Sequence, residues 1–190
     1  MEKIREPIYS RIAAVGESDS GKSFLANLIA KELAPNNKIR LIASEFRGKL
    51  YRTKFPIEEI ITLELPFDLD KAIEIIDMCK KNGTEVLIID SATPFWERVV
   101  EISDEMKATI KDTRRIWAKL TPRWDAFKMA INAAPFHGIT TWKVKDTIPM
   151  VPGEVSKKTV VTRGGGKALK FDDHLVFSLN EKREATVVKD

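Results

Sequence analysis

The apolar positions of this chain fall into short unbroken runs separated by longer stretches with helical spacing. The clearest run is Val-Leu-Ile-Ile at residues 86–89, which is continuous, as expected of a strand buried on both faces of a sheet. A second, largely apolar run at residues 11–15 leads directly into a glycine. The same criteria predict further strands at residues 38–43, 60–65, 137–144, 158–162, 175–179 and 186–188.

Helical spacing fills most of the gaps between these runs. It predicts a helix over residues 23–33, and Asp68 is placed to cap another that continues to residue 81. Residues 94–117 predict one or two helices, and Thr121-Pro122 is typical of a helix start, so we expect a further helix from there to residue 134. Strands that alternate with helices predict an α/β fold with a mainly parallel sheet and helices on both faces.

Length and composition indicate one domain. A chain of 190 residues, 43% apolar and 32% charged, is large enough for one core and too short for two substantial ones. We therefore predict a single domain over residues 1–190, with a strand- and loop-rich C-terminal part from about residue 146.

Several function classes are disfavoured by the sequence. The apolar runs are far shorter than a membrane span, residues 1–10 lack the apolar block of a secretory signal, and Cys79 is the only cysteine. These features predict an intracellular, cytoplasmic protein without disulfides and without a membrane partner. The net charge of +4 permits contact with nucleic acid but does not by itself indicate it.

The run at residues 11–15 leads into a segment with the pattern G-x-x-x-x-G-K-S, followed by the predicted helix. Glycines in this pattern allow main-chain N–H groups to converge on phosphates at a helix N-terminus. Lys22 is placed to reach the β and γ phosphates, and Ser23 offers a hydroxyl to Mg²⁺. The segment therefore predicts a phosphate loop that binds a nucleoside triphosphate, made of Gly16, Glu17, Ser18, Asp19, Ser20, Gly21, Lys22 and Ser23.

Two carboxylates follow predicted strands and are candidates for the rest of the site. Asp90 closes the run at residues 86–89 and precedes Ser91, which is the pattern of the second metal-binding motif in such proteins, although an Asp at a strand end can also cap a turn. Glu45 follows the strand at residues 38–43. If that strand lies between the phosphate-loop strand and the Asp90 strand, the topology is RecA-like, and Glu45 is the leading candidate for the general base; the alternative is a solvated strand-end residue.

Other nucleotide and metal chemistries find little support in the sequence. A GTPase normally needs an N-K-x-D motif, and the segment Asn37-Lys38-Ile39-Arg40 lacks the Asp. The chain also has no Gln to orient a water molecule. His137 and His174 lie far apart with no cysteine pair, so a zinc site is not expected. ATP with Mg²⁺ is the predicted cofactor pair.

The order of these features resembles the phage- and virus-encoded P-loop NTPases of the RecA-like type, which include single-strand annealing and recombination ATPases. The resemblance covers most of the chain. Beyond the two motifs it rests on Glu45-Phe46-Arg47-Gly48 with Tyr51, on Asp90-Ser91 with Phe95-Trp96-Glu97, on Trp117-Ala118-Lys119-Leu120-Thr121-Pro122-Arg123, on Ala134-Pro135-Phe136-His137, and on Thr140-Thr141-Trp142-Lys143-Val144-Lys145.

The resemblance implies a role for each matching residue. It makes Lys22 and Ser23 nucleotide and metal contacts, Asp90 the metal carboxylate and Glu45 the residue that activates water. It also makes Thr141 a sensor of the γ-phosphate, although a strand-end threonine can be purely structural. At the position of Lys143 the family usually has Arg. Because Lys lacks the planar guanidinium group of Arg, the resemblance does not assign a role to Lys143.

The resemblance also implies a biological setting. It suggests an ATPase in viral or plasmid DNA recombination, replication or repair that acts on single-stranded DNA as a homo-oligomer or a partner-dependent assembly, inside the host cell if the protein is viral. Arg163 and Lys167 flank a glycine turn and are candidates for a catalytic finger in trans or a DNA contact, against the alternative of a solvated hairpin loop.

Two other functions remain open at the level of sequence. A nucleotide or small-molecule kinase has a similar size and the same loop, and it would need a lid with arginines that face the transferred phosphate; Arg114, Arg115 and Arg123 are available. A DNA-packaging or partition motor shares the loop chemistry. Among the tryptophans, which could stack on bases, Trp117 and Trp124 are expected in the core, whereas Trp142 is a candidate ligand contact near the sheet edge.

Overall fold

The computed structural model describes residues 7–44, 46–147, 157–162, 169 and 173–189. In chain order the elements are β1 (Arg11–Gly16), α1 (Lys22–Leu33), β2 (Ile39–Ala43), a 3₁₀ helix (Phe46–Thr53), β3 (Ile57–Thr62), α2 (Leu69–Lys81), β4 (Val86–Asp90), α3 (Thr93–Lys107), α4 (Thr113–Asn132), β5 (His137–Thr147), β6 (Lys157–Val160), β7 (Leu175–Leu179) and β8 (Ala185–Lys189).

Within the described residues the strands form one eight-stranded sheet with the order β3-β2-β4-β5-β1-β7-β8, and β6 pairs with β5. The pairs from β3 through to β7 are parallel, whereas β8 runs antiparallel to β7 and β6 antiparallel to β5. The predicted α/β fold with a mainly parallel sheet is confirmed. No helix in the described part of the chain is long and apolar enough to cross a membrane.

Helices cover both faces of this sheet, as the apolar patterns predicted. Ala13 and Val15 of β1 belong to the apolar core on the face covered by α2, α3 and α4. Ile12, the residue that precedes Ala13, packs with Ala26 and Ala30 of α1 on the other face. Because successive side chains of a strand point to opposite faces, one apolar strand supplies both cores.

The condition set for the strand that precedes Glu45 is not met. β2 does not lie between β1 and β4; it lies on the far side of β4, between β4 and β3. The inserted strand is β5, which pairs with β1 on one side and β4 on the other. The apolar pattern of a strand reports its burial and not which strand lies beside it, so the neighbours of β1 are not readable from the pattern.

The helix start predicted at Thr121-Pro122 was wrong. α4 begins at Thr113, where the carboxylate of Asp112 accepts a hydrogen bond from the N–H of Arg114 at 2.9 Å, and it continues through Pro122 to Asn132. Pro122 is exposed, whereas the buried side chains on both sides of it keep helical spacing. Burial of that apolar face offsets the free-energy cost of the backbone hydrogen bond that proline cannot donate.

Smaller differences concern element ends. The cap predicted at Asp68 is present, since its carboxylate accepts a hydrogen bond from the N–H of Asp70 at 2.8 Å. The edge strand β3 spans Ile57–Thr62, so it begins and ends three residues before the predicted bounds. This strand is buried mainly at Ile57 and otherwise half-buried or exposed, which weakens the apolar signal at its ends.

At the amino ends of the strands, Arg11 ties β1 to the end of α4. Its buried guanidinium donates to the carbonyl oxygens of Asn132, Ala134 and Phe136 at 2.8, 2.6 and 2.7 Å. These carbonyls lie at and just beyond the C-terminus of α4, where helix carbonyls lack partners within the helix. A cation here also complements the helix dipole.

His137 is expected to make the folded protein sensitive to mild acid. Its Nδ1 accepts a hydrogen bond from the N–H of Ser10 at 3.0 Å, and burial together with the nearby Arg11 lowers its pKa from the usual 6.5. The unfolded chain therefore binds the proton more readily, so stability is present above the unfolded pKa and is lost as pH falls from about 6.5 through the folded pKa. Urea unfolding between pH 7.5 and pH 5 should show this loss.

The matched variant is His137→Asn, whose side-chain oxygen can accept the same hydrogen bond without titrating. Its unfolding free energy should fall less steeply over the same pH range. Equal slopes for the variant and the unchanged protein would contradict the assignment to His137.

Candidate active site

The phosphate-loop segment forms a tight turn between the end of β1 and the start of α1. The carbonyl of Glu17 accepts hydrogen bonds from the N–H of Ser20 at 3.3 Å and from its hydroxyl at 2.8 Å. Asp19 and Gly21 adopt left-handed backbone angles, with φ of 60° and 95°. Gly21 is the residue before α1 and has no side chain to cap it, which leaves the amides of the first helical turn to a ligand or solvent.

Gly16 has no room for a side chain. A Cβ there would lie 2.6 Å from the hydroxyl oxygen of Ser20 and 2.7 Å from the carbonyl oxygen of Leu179 in β7. The second contact is with backbone, which cannot move aside as the end of a flexible side chain can. The loop therefore leaves the sheet in direct contact with β7.

Lys22 is the first residue of α1 and is only 7% exposed. Its ammonium group donates a hydrogen bond to the carbonyl oxygen of Glu17 across the loop. Ser23 follows it, and both residues line a cavity at the carboxyl edge of the sheet. A lysine ammonium that is almost fully buried needs polar partners, and here the loop backbone supplies at least one of them.

Asp90, the last residue of β4, meets Thr141 in the middle of the neighbouring strand β5, so Thr141 is not the strand-end residue that was expected. The hydroxyl of Thr141 donates to Oδ1 of Asp90 at 2.5 Å, and both side chains are buried. Because β5 lies between β4 and β1, Thr141 stands between the Asp90 strand and the strand that enters the loop. The pair therefore holds a carboxylate in a defined orientation beside the loop.

Hydrogen bonds join the end of β2 to Asp90 and Ser91. The N–H of Ser44 donates to the carbonyl of Asp90 at 2.9 Å. Its hydroxyl donates to the carbonyl of Ser91 at 2.9 Å and accepts from the N–H of Ser91 at 2.7 Å. Glu45, the next residue, lies outside the described residues, as do Arg163 and Lys167, so the roles suggested for these three stay predictions.

Beyond Thr141, β5 is joined to the segment that follows β4. The N–H of Ala92 donates to the carbonyl of Thr141 at 2.9 Å, and the N–H of Lys143 donates to the hydroxyl of Thr93 at 2.8 Å. Lys143 is paired in register with Gly16, and it lines the cavity. Its backbone is thus fixed on both sides, next to the first residue of the loop.

The cavity has a volume of about 860 Å³, a size suited to a nucleotide. It brings together Asp90, Ser91 and five loop residues, whereas Gly16, Glu17, Ser20 and Thr141 lie outside its lining; the five are Ser18, Asp19, Gly21, Lys22 and Ser23. Sequence reasoning missed several other residues that line it: Phe24, Leu25, Leu28, Tyr51, Lys54, Leu179, Arg183 and Ala185. Phe24 and Leu28 carried a signal in the sequence, because they sit just after the loop on a predicted helix. Nothing local in the sequence points Arg183 toward the loop.

The arginines considered for a kinase lid lie elsewhere. Arg123 places Nη2 at 2.6 Å from a carboxylate oxygen of Asp70 and lines a separate, smaller pocket. Arg115 is exposed, with Nε 3.7 Å from a carboxylate oxygen of Asp112. Arg114 is exposed on the same helix. Among the described residues, the cations that line the main cavity are Lys22, Lys54, Lys143 and Arg183.

The tryptophans form part of the core instead of a base-stacking surface. Trp124 and Trp142 are 1% and 5% exposed, with ring centres 6.3 Å apart. The indole N–H of Trp142 donates to the hydroxyl of Thr140 at 2.8 Å, so its polar atom has a partner inside the protein. Trp117 is half-buried and stacks on Trp96. The expectation of core positions holds for Trp124, whereas Trp142 does not present a free face to a ligand.

Comparisons with known proteins bear on the fold. Neither protein-family models nor curated protein sequences give a match. Many solved structures do match. One of them is the structure of a prototypical ATPase from the type III secretion system of pathogenic bacteria. The TM-score is 0.62 at 15% identity, over 92% of this chain and 53% of that one. This chain thus spans about half the length of that ATPase, and it shares with it a mixed α/β fold with a mainly parallel sheet.

Proposed function

We propose that this chain binds a nucleoside triphosphate with Mg²⁺ and hydrolyses it. One observation carries the proposal: Lys22 of the loop and Asp90, held by Thr141, line a single nucleotide-sized cavity at the carboxyl edge of a parallel sheet. Ligands of open α/β sheets bind at this edge. The likeness in fold to a solved ATPase supports the same conclusion.

The loop would hold the phosphates in two ways. The amides of the first turn of α1 have no capping side chain, and the helix dipole favours an anion there. The ammonium of Lys22 is already inside the loop, where it is bonded to the carbonyl of Glu17. A bound phosphate would offer it a charged acceptor in place of a neutral one, and such hydrogen bonds are stronger.

The residues at the site fit Mg²⁺. The hydroxyl of Ser23 and the carboxylate of Asp90 line the same cavity, and both are hard oxygen donors of the kind that this ion prefers. The hydrogen bond from Thr141 fixes one oxygen of Asp90. Bound there, Mg²⁺ would neutralise charge that develops on the phosphates.

Water activation is the step for which Glu45 is proposed. The hydrogen bonds of Ser44 to the main chain of Asp90 and Ser91 join the end of β2 to the end of β4. A carboxylate at the following position is well placed in sequence to take a proton from water that attacks the γ-phosphate. Thr141 would sense that phosphate through the same hydroxyl that now bonds Asp90.

Hydrolysis is favoured over a kinase reaction. The arginines that a kinase lid would require lie on α4 and pair with acidic residues outside the cavity. ATP is the proposed nucleotide, because the sequence lacks the guanine-reading motif and has no Gln.

The biological role is a finer proposal that rests on the sequence resemblance and the net charge of +4. We propose a RecA-like ATPase in viral or plasmid DNA recombination, replication or repair, which assembles with copies of itself or with a partner. Arg163 or Lys167 would then reach a neighbouring site in trans. Hydrolysis that rises several-fold on addition of single-stranded DNA would support this role, whereas hydrolysis indifferent to DNA would contradict it.

Thr141→Val tests the proposed site. Valine has nearly the same shape but removes the donor to Asp90, so we expect the turnover rate to fall about 100-fold while ATP affinity changes little. Thr141→Ser retains the hydroxyl and should restore most of the rate. Phosphate release with and without Mg²⁺, together with ATP titrations, separates the two effects. No Mg²⁺-dependent hydrolysis by the unchanged protein, or equal rates for both variants, would overturn the assignment.

A further inference from the structure

The turn between β7 and β8 is held in one conformation by its first and last residues. The side-chain amide of Asn180 donates to a carboxylate oxygen of Glu184 at 2.7 Å and accepts from the N–H of Glu184 at 3.0 Å. The backbone N–H of Asn180 also donates to the carbonyl of Glu184 at 3.1 Å. A turn closed by these bonds presents its remaining side chains from a fixed frame.

Arg183 is carried on this turn and stands over the start of α1. Its Cβ and Cγ lie 3.9 Å from the place that a Cβ on Gly21 would occupy. It has a left-handed backbone, with φ of 65°, a conformation that glycine or asparagine adopts more readily. Among the described residues, its guanidinium has no hydrogen-bond or ion-pair partner, although it lines the main cavity. The left-handed angle belongs to the hairpin turn, and the turn places this cation in the lining of the cavity beside the loop.

The sheet order defines which part of a nucleotide reaches this turn. β1 enters the loop between β5 on one side and β7 on the other. Gly16 is paired in register with Lys143 of β5 and with Leu179 of β7. The groups proposed to act on the terminal phosphate, Asp90 and Thr141, lie on the β5 side. The nucleoside end must therefore extend toward the β7 side, where Arg183 stands.

Apolar side chains line the same cavity along α1. Phe24 and Leu28 are 48% and 42% exposed and line the cavity next to the loop. Leu179 and Ala185, at the two ends of the hairpin turn, also line the cavity. An apolar wall suits the face of an aromatic base, and a planar guanidinium stacks on such a face.

We propose that the β7–β8 hairpin forms the nucleoside subsite, in which the base lies along Phe24 and Leu28 of α1 and the guanidinium of Arg183 covers it. This inference rests on the proposed function and adds to it a residue that recognises the nucleoside instead of the phosphates. In this proposal Arg183, which lies outside the loop motifs, contacts the nucleotide bound by its own chain.

The test compares two ligands that share the phosphates and differ in the nucleoside: Mg²⁺-ATP and Mg²⁺-tripolyphosphate. Calorimetric titration of Arg183→Ala should show ATP bound about tenfold more weakly and tripolyphosphate bound within twofold of the unchanged protein. Arg183→Lys keeps the charge without the planar group and should recover only part of the ATP affinity. Lys182→Ala, next to it on the same exposed turn and outside the cavity lining, is the matched control and should change neither affinity.

Two outcomes overturn the subsite. An equal loss for both ligands would make Arg183 a phosphate contact, and no loss for either would place it outside the site. Failure of the proposed function looks different, because the unchanged protein would then bind neither ligand, or Lys22→Ala would bind both as well as before.

Discussion

Replacement of Lys22 by alanine is expected to reduce Mg²⁺-ATP binding and hydrolysis by about 100-fold or more. The side chain is 7% exposed, and its ammonium donates a hydrogen bond across the loop. The loss combines a missing phosphate contact with a loop that no longer has the hydrogen bond from Lys22 to Glu17. Phosphate release under saturating ATP and a direct binding titration measure both parts.

Lys31→Ala is the matched control for this variant. Lys31 is exposed in the last turn of the same helix, away from the loop, so its removal tests the loss of one positive charge without a change in the site. Its activity should stay within twofold of the unchanged protein. If Lys22→Ala hydrolysed ATP at a rate within twofold of the unchanged protein, the loop would not be the site that binds the reacting nucleotide.

Trp124→Ala is expected to have the largest effect on stability. Trp124 is 1% exposed and contacts the rings of Trp96, Phe127 and Trp142, with ring centres 5.1 to 6.3 Å apart. Truncation leaves a large cavity in the core between α3, α4 and β5, which costs about 3–5 kcal/mol of unfolding free energy. Domains of this kind are stable by about 5–15 kcal/mol, so the variant would lose a large part of the total.

Denaturant unfolding followed by circular dichroism measures this loss. Met129→Ala, a 68% exposed position on the same helix, should lower the unfolding free energy by no more than about 0.5 kcal/mol. A loss below about 1 kcal/mol for Trp124→Ala would contradict the tight packing described for this region.

The elements that sequence predicted well are those whose signal is local. The run at residues 86–89 is apolar throughout because β4 is buried on both faces, and α2 begins where Asp68 caps it. At Pro122 the local signal gives the wrong element boundary. A proline is a local signal of a helix start, whereas the continuity of α4 depends on an apolar face that packs against distant elements.

In the candidate site, too, the residues with a local signal were predicted and the others were not. The segment from Gly16 to Ser23 and the residue Asp90 belong to motifs whose spacing is readable in the sequence, and the fold places them around one cavity. Arg183 belongs to no motif. It reaches the loop because β7 pairs with β1, a contact between residues more than 150 positions apart that no local pattern encodes. For the same reason, the sequence does not show that β5, and not β2, lies between β1 and β4.

The contact between Gly16 and Leu179 also constrains how this sequence can diverge. A side chain at position 16 would collide with the main chain of β7, which cannot be relieved by a smaller residue at position 179, because the obstacle is a carbonyl oxygen. Any relative that accepted a larger residue at 16 would have to shift the path of the whole strand. The glycine at position 16 and the present course of β7 therefore depend on each other.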